Sequence, residues 1–83
     1  TYYFPNGDTY TGDFVNNKRT GKGQYRFNKG DVYNGYWEND LRNGIGFISG
    51  KKDKIIKAGV WEKDRLVTNR RLTDEEIKEL KNP

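Results

Sequence analysis

Thr9-Tyr10-Thr11-Gly12-Asp13-Phe14-Val15-Asn16-Asn17-Lys18-Arg19-Thr20-Gly21-Lys22-Gly23-Gln24-Tyr25-Arg26-Phe27-Asn28-Lys29-Gly30-Asp31 is one full copy of a phrase that this chain writes more than once. Its landmarks return 23 residues later. Tyr10-Thr11-Gly12-Asp13-Phe14 comes back as Tyr33-Asn34-Gly35-Tyr36-Trp37, and Gly21-Lys22-Gly23 as Gly44-Ile45-Gly46. Upstream, Tyr2, Phe4 and Gly7-Asp8 match Tyr25, Phe27 and Gly30-Asp31, so a partial copy comes first. Downstream, Gly59-Val60-Trp61 answers Gly35-Tyr36-Trp37 one residue late. A period in this range marks a stacked array of small units, each unable to bury its apolar face alone. Such arrays present surfaces rather than deep pockets.

Each copy reads as a β-hairpin. Tyr10, Gly12 and Phe14 share one face of a strand, and Gly21, Gly23, Tyr25 and Phe27 share one face of the next, because side chains alternate with period two. A polar connection over Val15–Thr20 separates them, and Asn28-Lys29-Gly30-Asp31 is a tight turn into the following copy. Asn34-Gly35 resembles a hairpin turn, but its alignment with Thr11-Gly12 and Ala58-Gly59 places it inside a strand. Successive hairpins are expected to join into one antiparallel meander. The same-face glycines give aromatic rings bare backbone to lie on, with Phe14, Trp37 and Trp61 expected in a row over Gly12, Gly35 and Gly59.

The bulk numbers suit a thin sheet better than a thick core. Only 31% of residues are hydrophobic and 34% are charged, a balance that leans toward disorder. Against this, twelve Tyr, Phe and Trp residues recur at fixed positions, and each ring can bury a large area. The third copy decays: Lys57 replaces the tyrosine of Tyr10 and Tyr33, and Leu66-Val67-Thr68 stands where a glycine pair is needed. Thr73-Asp74-Glu75-Glu76 then fits a capping box, with Leu72, Ile77 and Leu80 as the apolar stripe of a short helix. The expected organisation is a repeat array over residues 1–66 and a capping helix over 72–82, laid on the last strand edge. The chain opens inside a repeat without Met, the pattern expected of a fragment.

No catalytic constellation is readable. With no His and no Cys, the Ser-His and Cys-His nucleophile sets and the usual zinc sets are absent. The glycine pairs lack the third glycine and helix of a dinucleotide fingerprint. The expectation is no enzyme, no cofactor and no metal, with Asp8 and Asp31 capping turns. No stretch reaches the ~20 apolar residues of a membrane span.

These residues resemble the MORN repeat (membrane occupation and recognition nexus). The resemblance rests on Tyr10, Gly12, Phe14, Gly21, Gly23 and Tyr25, then Tyr33, Gly35, Trp37, Gly44 and Gly46, and more faintly Gly59 and Trp61. It implies an all-β, elongated, single-layer twisted antiparallel meander of hairpins with a short C-terminal α-helix. It also implies a protein-interaction scaffold or dimerisation module, of the kind found beside plant phosphatidylinositol phosphate kinases.

Three uses follow. In the first, an aromatic sheet face carrying Tyr10, Phe14, Tyr25, Tyr33, Trp37 and Trp61 accepts an apolar helix or peptide of a protein partner. In the second, Lys51, Lys52, Lys54 and Lys57 bind an anionic phospholipid surface and place the chain peripherally at a membrane. In the third, the array is an accessory spacer of a larger enzyme. Single-stranded nucleic acid is disfavoured, because charge gathers at one end while the aromatics run along the sheet. An exposed strand edge would also permit a dimer.

Overall fold

The computed structural model describes residues 1–82. Seven strands form one sheet in sequence order: β1 Tyr2–Tyr3, β2 Thr9–Val15, β3 Lys18–Arg26, β4 Val32–Glu38, β5 Leu41–Ser49, β6 Ile55–Glu62 and β7 Arg65–Asn69. Every neighbouring pair is antiparallel. One helix, α1 (Asp74–Lys81), follows. This is the meander of hairpins read from the period, with principal extents of 31 × 25 × 22 Å.

The polar connection inside each hairpin is tighter than expected. Val15 and Lys18 already pair, leaving the two-residue turn Asn16-Asn17 with φ of 52° and 66°. Asn39-Asp40 and Lys63-Asp64 repeat that left-handed pair. Two positive-φ residues give a turn whose twist matches the strands, and Asn and Asp tolerate that conformation best.

The register sets one glycine row across five strands. Gly12 pairs with Gly23, Gly23 with Gly35, Gly35 with Gly46, and Gly46 with Gly59. The row ends where Gly59 meets Asn69 on β7. A second row, Tyr2, Tyr10, Tyr25, Tyr33, Ile48 and Lys57, runs beside it.

The rings do not sit as the sequence suggests. Tyr10, not Phe14, lies over the glycines of its own hairpin: a Cβ on Gly12 or Gly23 would stand 2.8 or 2.7 Å from Tyr10 Cζ. Tyr33 covers Gly35 and Gly46 in the same way, 2.6 Å from either added carbon. The reason is reach. A tyrosine leaning along its strand extends over residue i+2 and delivers its hydroxyl to the backbone beyond. Tyr10 donates to the Asp13 carbonyl at 3.2 Å and Tyr33 to the Tyr36 carbonyl at 3.0 Å, each where a bulge shifts the register. At Gly59 the atoms nearest an added Cβ belong to the Thr68–Arg70 backbone rather than to a ring. An added Cβ there would run into the Thr68 carbonyl, so the glycine admits β7.

The helix is capped as expected: Thr73 Oγ1 accepts from Glu76 N, and Glu76 accepts from Thr73 N. It does not cover the last strand edge. It crosses the second sheet face over β3 and β4, burying Leu72 and Leu80 against Phe47 and Ala58, with Ile45 and Ile77 alongside. The apolar residues of that face lie in the middle of the sheet, so the helix settles there and leaves β7 open.

Candidate functional site

The aromatic face is a ladder of alternating rings. Phe14 meets Tyr10 at 5.0 Å, Tyr10 meets Trp37 at 5.6 Å, Trp37 meets Tyr33 at 5.2 Å, and Tyr33 meets Trp61 at 5.4 Å, all edge to face. Edge-to-face rings at these distances each contribute roughly 0.5–1.5 kcal/mol beyond their buried area. Both indoles also donate to the backbone, Trp37 Nε1 to the Gly23 carbonyl at 3.4 Å and Trp61 Nε1 to the Gly46 carbonyl at 2.9 Å.

This packing revises the expected binding face. Tyr10, Tyr33, Trp37 and Trp61 form a buried cluster, the most open of them 6% exposed. A partner cannot touch rings that the chain itself has covered. Of the six expected contact residues, Phe14 is exposed and Tyr25 is half-buried. Tyr2 is exposed, while Phe4 and Phe27 are half-buried. These rings border the buried ladder: Phe4 lies 5.6 Å and Phe27 4.8 Å from Tyr25.

Two arginines, unassigned in the sequence reading, do much of the covering. Arg19 lies over the Trp37 ring at 4.4 Å from its centroid, and Arg42 over Trp61 at 4.5 Å. Each comes from the hairpin before the tryptophan it covers, and each is clasped to the next turn. Arg19 Nε meets Asp40 Oδ1 at 2.5 Å, and Arg19 Nη2 donates to the Asp40 carbonyl at 3.0 Å. Asp40 N returns a bond to the Arg19 carbonyl at 3.1 Å. Arg42 and Asp64 repeat the arrangement, with Nε to Oδ1 at 2.6 Å. The Arg19 guanidinium holds the Asp40 carboxyl below its ordinary range. Replacing Arg19 by Leu removes the clasp and uncovers Trp37. The expected loss is about 1–2 kcal/mol, read as a lower urea midpoint. Asp40→Asn should lose less, because the backbone carbonyl still accepts.

Arg19 and Asp40 border a hollow of about 300 Å³ with Tyr25, Phe27, Trp37 and Leu41. A second, of about 410 Å³, is lined by Tyr2, Phe4, Phe14, Asn17 and Asp40. Asp40 lines both, so the two hollows meet at its side chain and together offer aromatic and polar walls. Beside Tyr25, Asp8 ties adjacent turns together, accepting from Tyr25 Oη and Asn28 N, both at 2.6 Å. The Tyr25 bond holds the Asp8 carboxyl below its ordinary range.

Burial raises the Tyr10 and Tyr25 hydroxyls to about 12 and raises Tyr33 as well. The folded chain therefore holds protons that the unfolded chain releases near pH 10. Stability is expected to be intact below pH 10 and to fall progressively between pH 10 and 12. Urea midpoints taken across that range check it.

The basic residues divide. Lys51, Lys52, Lys54 and Lys57 are all exposed, around the turn that opens β6 and on its first half. Ile55 and Ile56 lie among them, 38% and 55% exposed. Lys63 sits at the other end of that strand. Among the described residues no helix is long and apolar enough to cross a membrane, and no cluster of metal-ligating side chains is found.

A family model described as MORN repeat matches residues 1–9, 10–32 and 33–52. The second matched segment ends within a residue of the copy read from the period. No curated protein matches the chain.

Proposed function

The chain belongs to the MORN repeat family, whose repeats are generally modules for protein or membrane interaction, and from that premise we propose that it is a non-catalytic scaffold binding an extended or helical segment of a protein partner. The partner's place is the groove floored by Phe4, Tyr25 and Phe27 and walled by the Arg19–Asp40 clasp. One observation carries this reading. The chain buries its inner ladder yet leaves the bordering rings part-covered, lining two hollows that share Asp40. Apolar side chains of a partner fit such a floor, and the clasp supplies both a donor and an acceptor at the rim.

Peptide display against the 83-residue chain tests it. Selected peptides should share apolar anchors and should lose binding to a Phe4→Ser/Phe27→Ser variant, while keeping it when Lys51, Lys52, Lys54 and Lys57 become Ala. Equal binding to the groove variant would sink the proposal.

A second reading is favoured by Ile55 and Ile56, which stand exposed among four exposed lysines. Apolar side chains ringed by cations suit an anionic phospholipid surface. This would fit the accessory repeats of a larger protein such as a phosphatidylinositol phosphate kinase, whose plant members carry repeats that this chain resembles. Co-sedimentation with anionic but not neutral vesicles, abolished by salt and by Ile56→Ser, is the expected result there. Binding indifferent to salt would remove the lysines from it.

A further inference from the structure

The second sheet face carries an aromatic side chain that the fold does not use. Tyr36 stands where Asp13 and Val60 stand in the neighbouring copies, and Ile45 stands where Lys22 stands, so the repeat itself calls for neither. Ile45 is half-buried beside the helix cluster, but Tyr36 is 39% exposed. Between Tyr36 and α1 lies a hollow of about 240 Å³, lined by Tyr36, Ile45, Leu80 and three carboxylates, Glu75, Glu76 and Glu79. β4 and β5 lie inside the sheet, so the hollow owes nothing to either sheet edge.

The three carboxylates are not equivalent. Glu76 is spent within the chain, accepting two bonds from the Arg70 guanidinium and one from Thr73 N. Glu79 Oε1 meets Lys22 Nζ at 3.2 Å, yet the glutamate side chain is 68% exposed against 23% for the lysine. Glu75 is exposed and has no ion-pair partner among the described residues. Glu75 and Glu79 are four apart, so they share one edge of the helix, where like charges repel. Lys78 lines a separate hollow with Asp74 and Ile77. The mouth of the Tyr36 hollow is therefore acidic and its floor apolar.

We propose that this hollow receives one lysine or arginine side chain of a protein partner. The alkyl stem lies on Tyr36, Ile45 and Leu80, and the cationic head stands between Glu75 and Glu79. The lining asks for both parts. A short cation leaves the floor in water, and an apolar side chain leaves the two acids repelling each other, whereas a long basic side chain covers the one and neutralises the other. The Tyr36 ring adds a cation–π contact. The site lies on the opposite face from the groove floored by Tyr25 and Phe27 and does not depend on it.

The test uses short capped glycine peptides with lysine, arginine or norleucine at the centre, each titrated at low salt into the 83-residue chain and followed by amide chemical shifts. Saturable shifts at Tyr36, Ile45 and residues 75–80 are expected with the lysine and arginine peptides. Norleucine keeps the stem and loses the charge, and should bind about 5-fold more weakly. Glu75→Gln breaks no ion pair of the chain and should weaken the cationic peptides about 3-fold. Tyr36→Thr should weaken them as well, while Phe27→Ser should not. Equal binding of the norleucine peptide, indifference to Glu75→Gln, or no saturation would overturn the proposal. So would shifts confined to Asp40 and Asp64, which would put the cation on the other face.

Discussion

Trp37→Ala is expected to cost about 3–5 kcal/mol, the largest loss of any single aromatic truncation in this chain. Trp37 is 6% exposed and touches Tyr10, Tyr25 and Tyr33, so its removal opens the ladder on three sides. It also strands Arg19, whose guanidinium loses the ring beneath it. For a domain of this length the expected loss corresponds to a fall in Tm of roughly 15–30 °C. A chain of this size commands about 4–12 kcal/mol in total, so the variant should be close to unfolded at physiological temperature. Phe14→Ala is the control. It stands at the equivalent place in the preceding copy but is half open to water, and should cost about 1 kcal/mol. Equal melting curves for the two variants would show that the ladder is not the core.

Gly23→Ala should be nearly as damaging, by the opposite mechanism. The added methyl has no room, because the Tyr10 ring lies on that glycine and on Gly12 beside it. Forcing the ring away costs about 3 kcal/mol and weakens its hydroxyl bond to the Asp13 carbonyl. The attribution is checked by a cycle. In a Tyr10→Ala background the obstacle is gone, so the two losses together should fall short of their sum by about 1–3 kcal/mol. Gly30→Ala separates crowding from backbone strain. Gly30 has a φ of 113° and nothing within 4 Å of an added Cβ. Its cost should be the conformational one alone, roughly 1–2 kcal/mol. Strict additivity of Gly23→Ala and Tyr10→Ala would mean that the ring does not rest there.

The strand order, the register of the glycines and the helix cap were all legible in the sequence, for one physical reason. A fixed period forces every copy into the same local conformation, so Gly12 and Gly35, like Gly23 and Gly46, could not be out of step. Burial was less legible. A single-layer sheet suggests an open aromatic face, but Tyr10 and Tyr33 fold along their own strands and the arginines close over the tryptophans. The signal for those arginines was present. Arg19 and Arg42 are 23 apart, while Asp40 and Asp64 are 24 apart, the same spacing as Trp37 and Trp61. The aspartate keeps its place three residues after each tryptophan and the arginine keeps the 23-residue period, so both charges recur with the aromatic. The helix's resting place was not legible, since Ile77 and Leu80 say that it docks but not where. Only the register, which brings Phe47 beside Ala58 on the second face, decides that.

The proposed groove depends on one division, between rings that the chain has already covered and rings it leaves exposed. Hydroxyl-radical footprinting of the native chain, with oxidation located by mass spectrometry, reads that division residue by residue. Tyr2, Tyr3 and Phe14 should be oxidised readily, at 49%, 75% and 42% exposure. Tyr10, Tyr33, Trp37 and Trp61 should stay unmarked until the sheet is unfolded. Oxidation of Trp37 and Trp61 in native buffer as fast as Tyr3 would mean that the ladder lies open, and that the covered core described here does not exist.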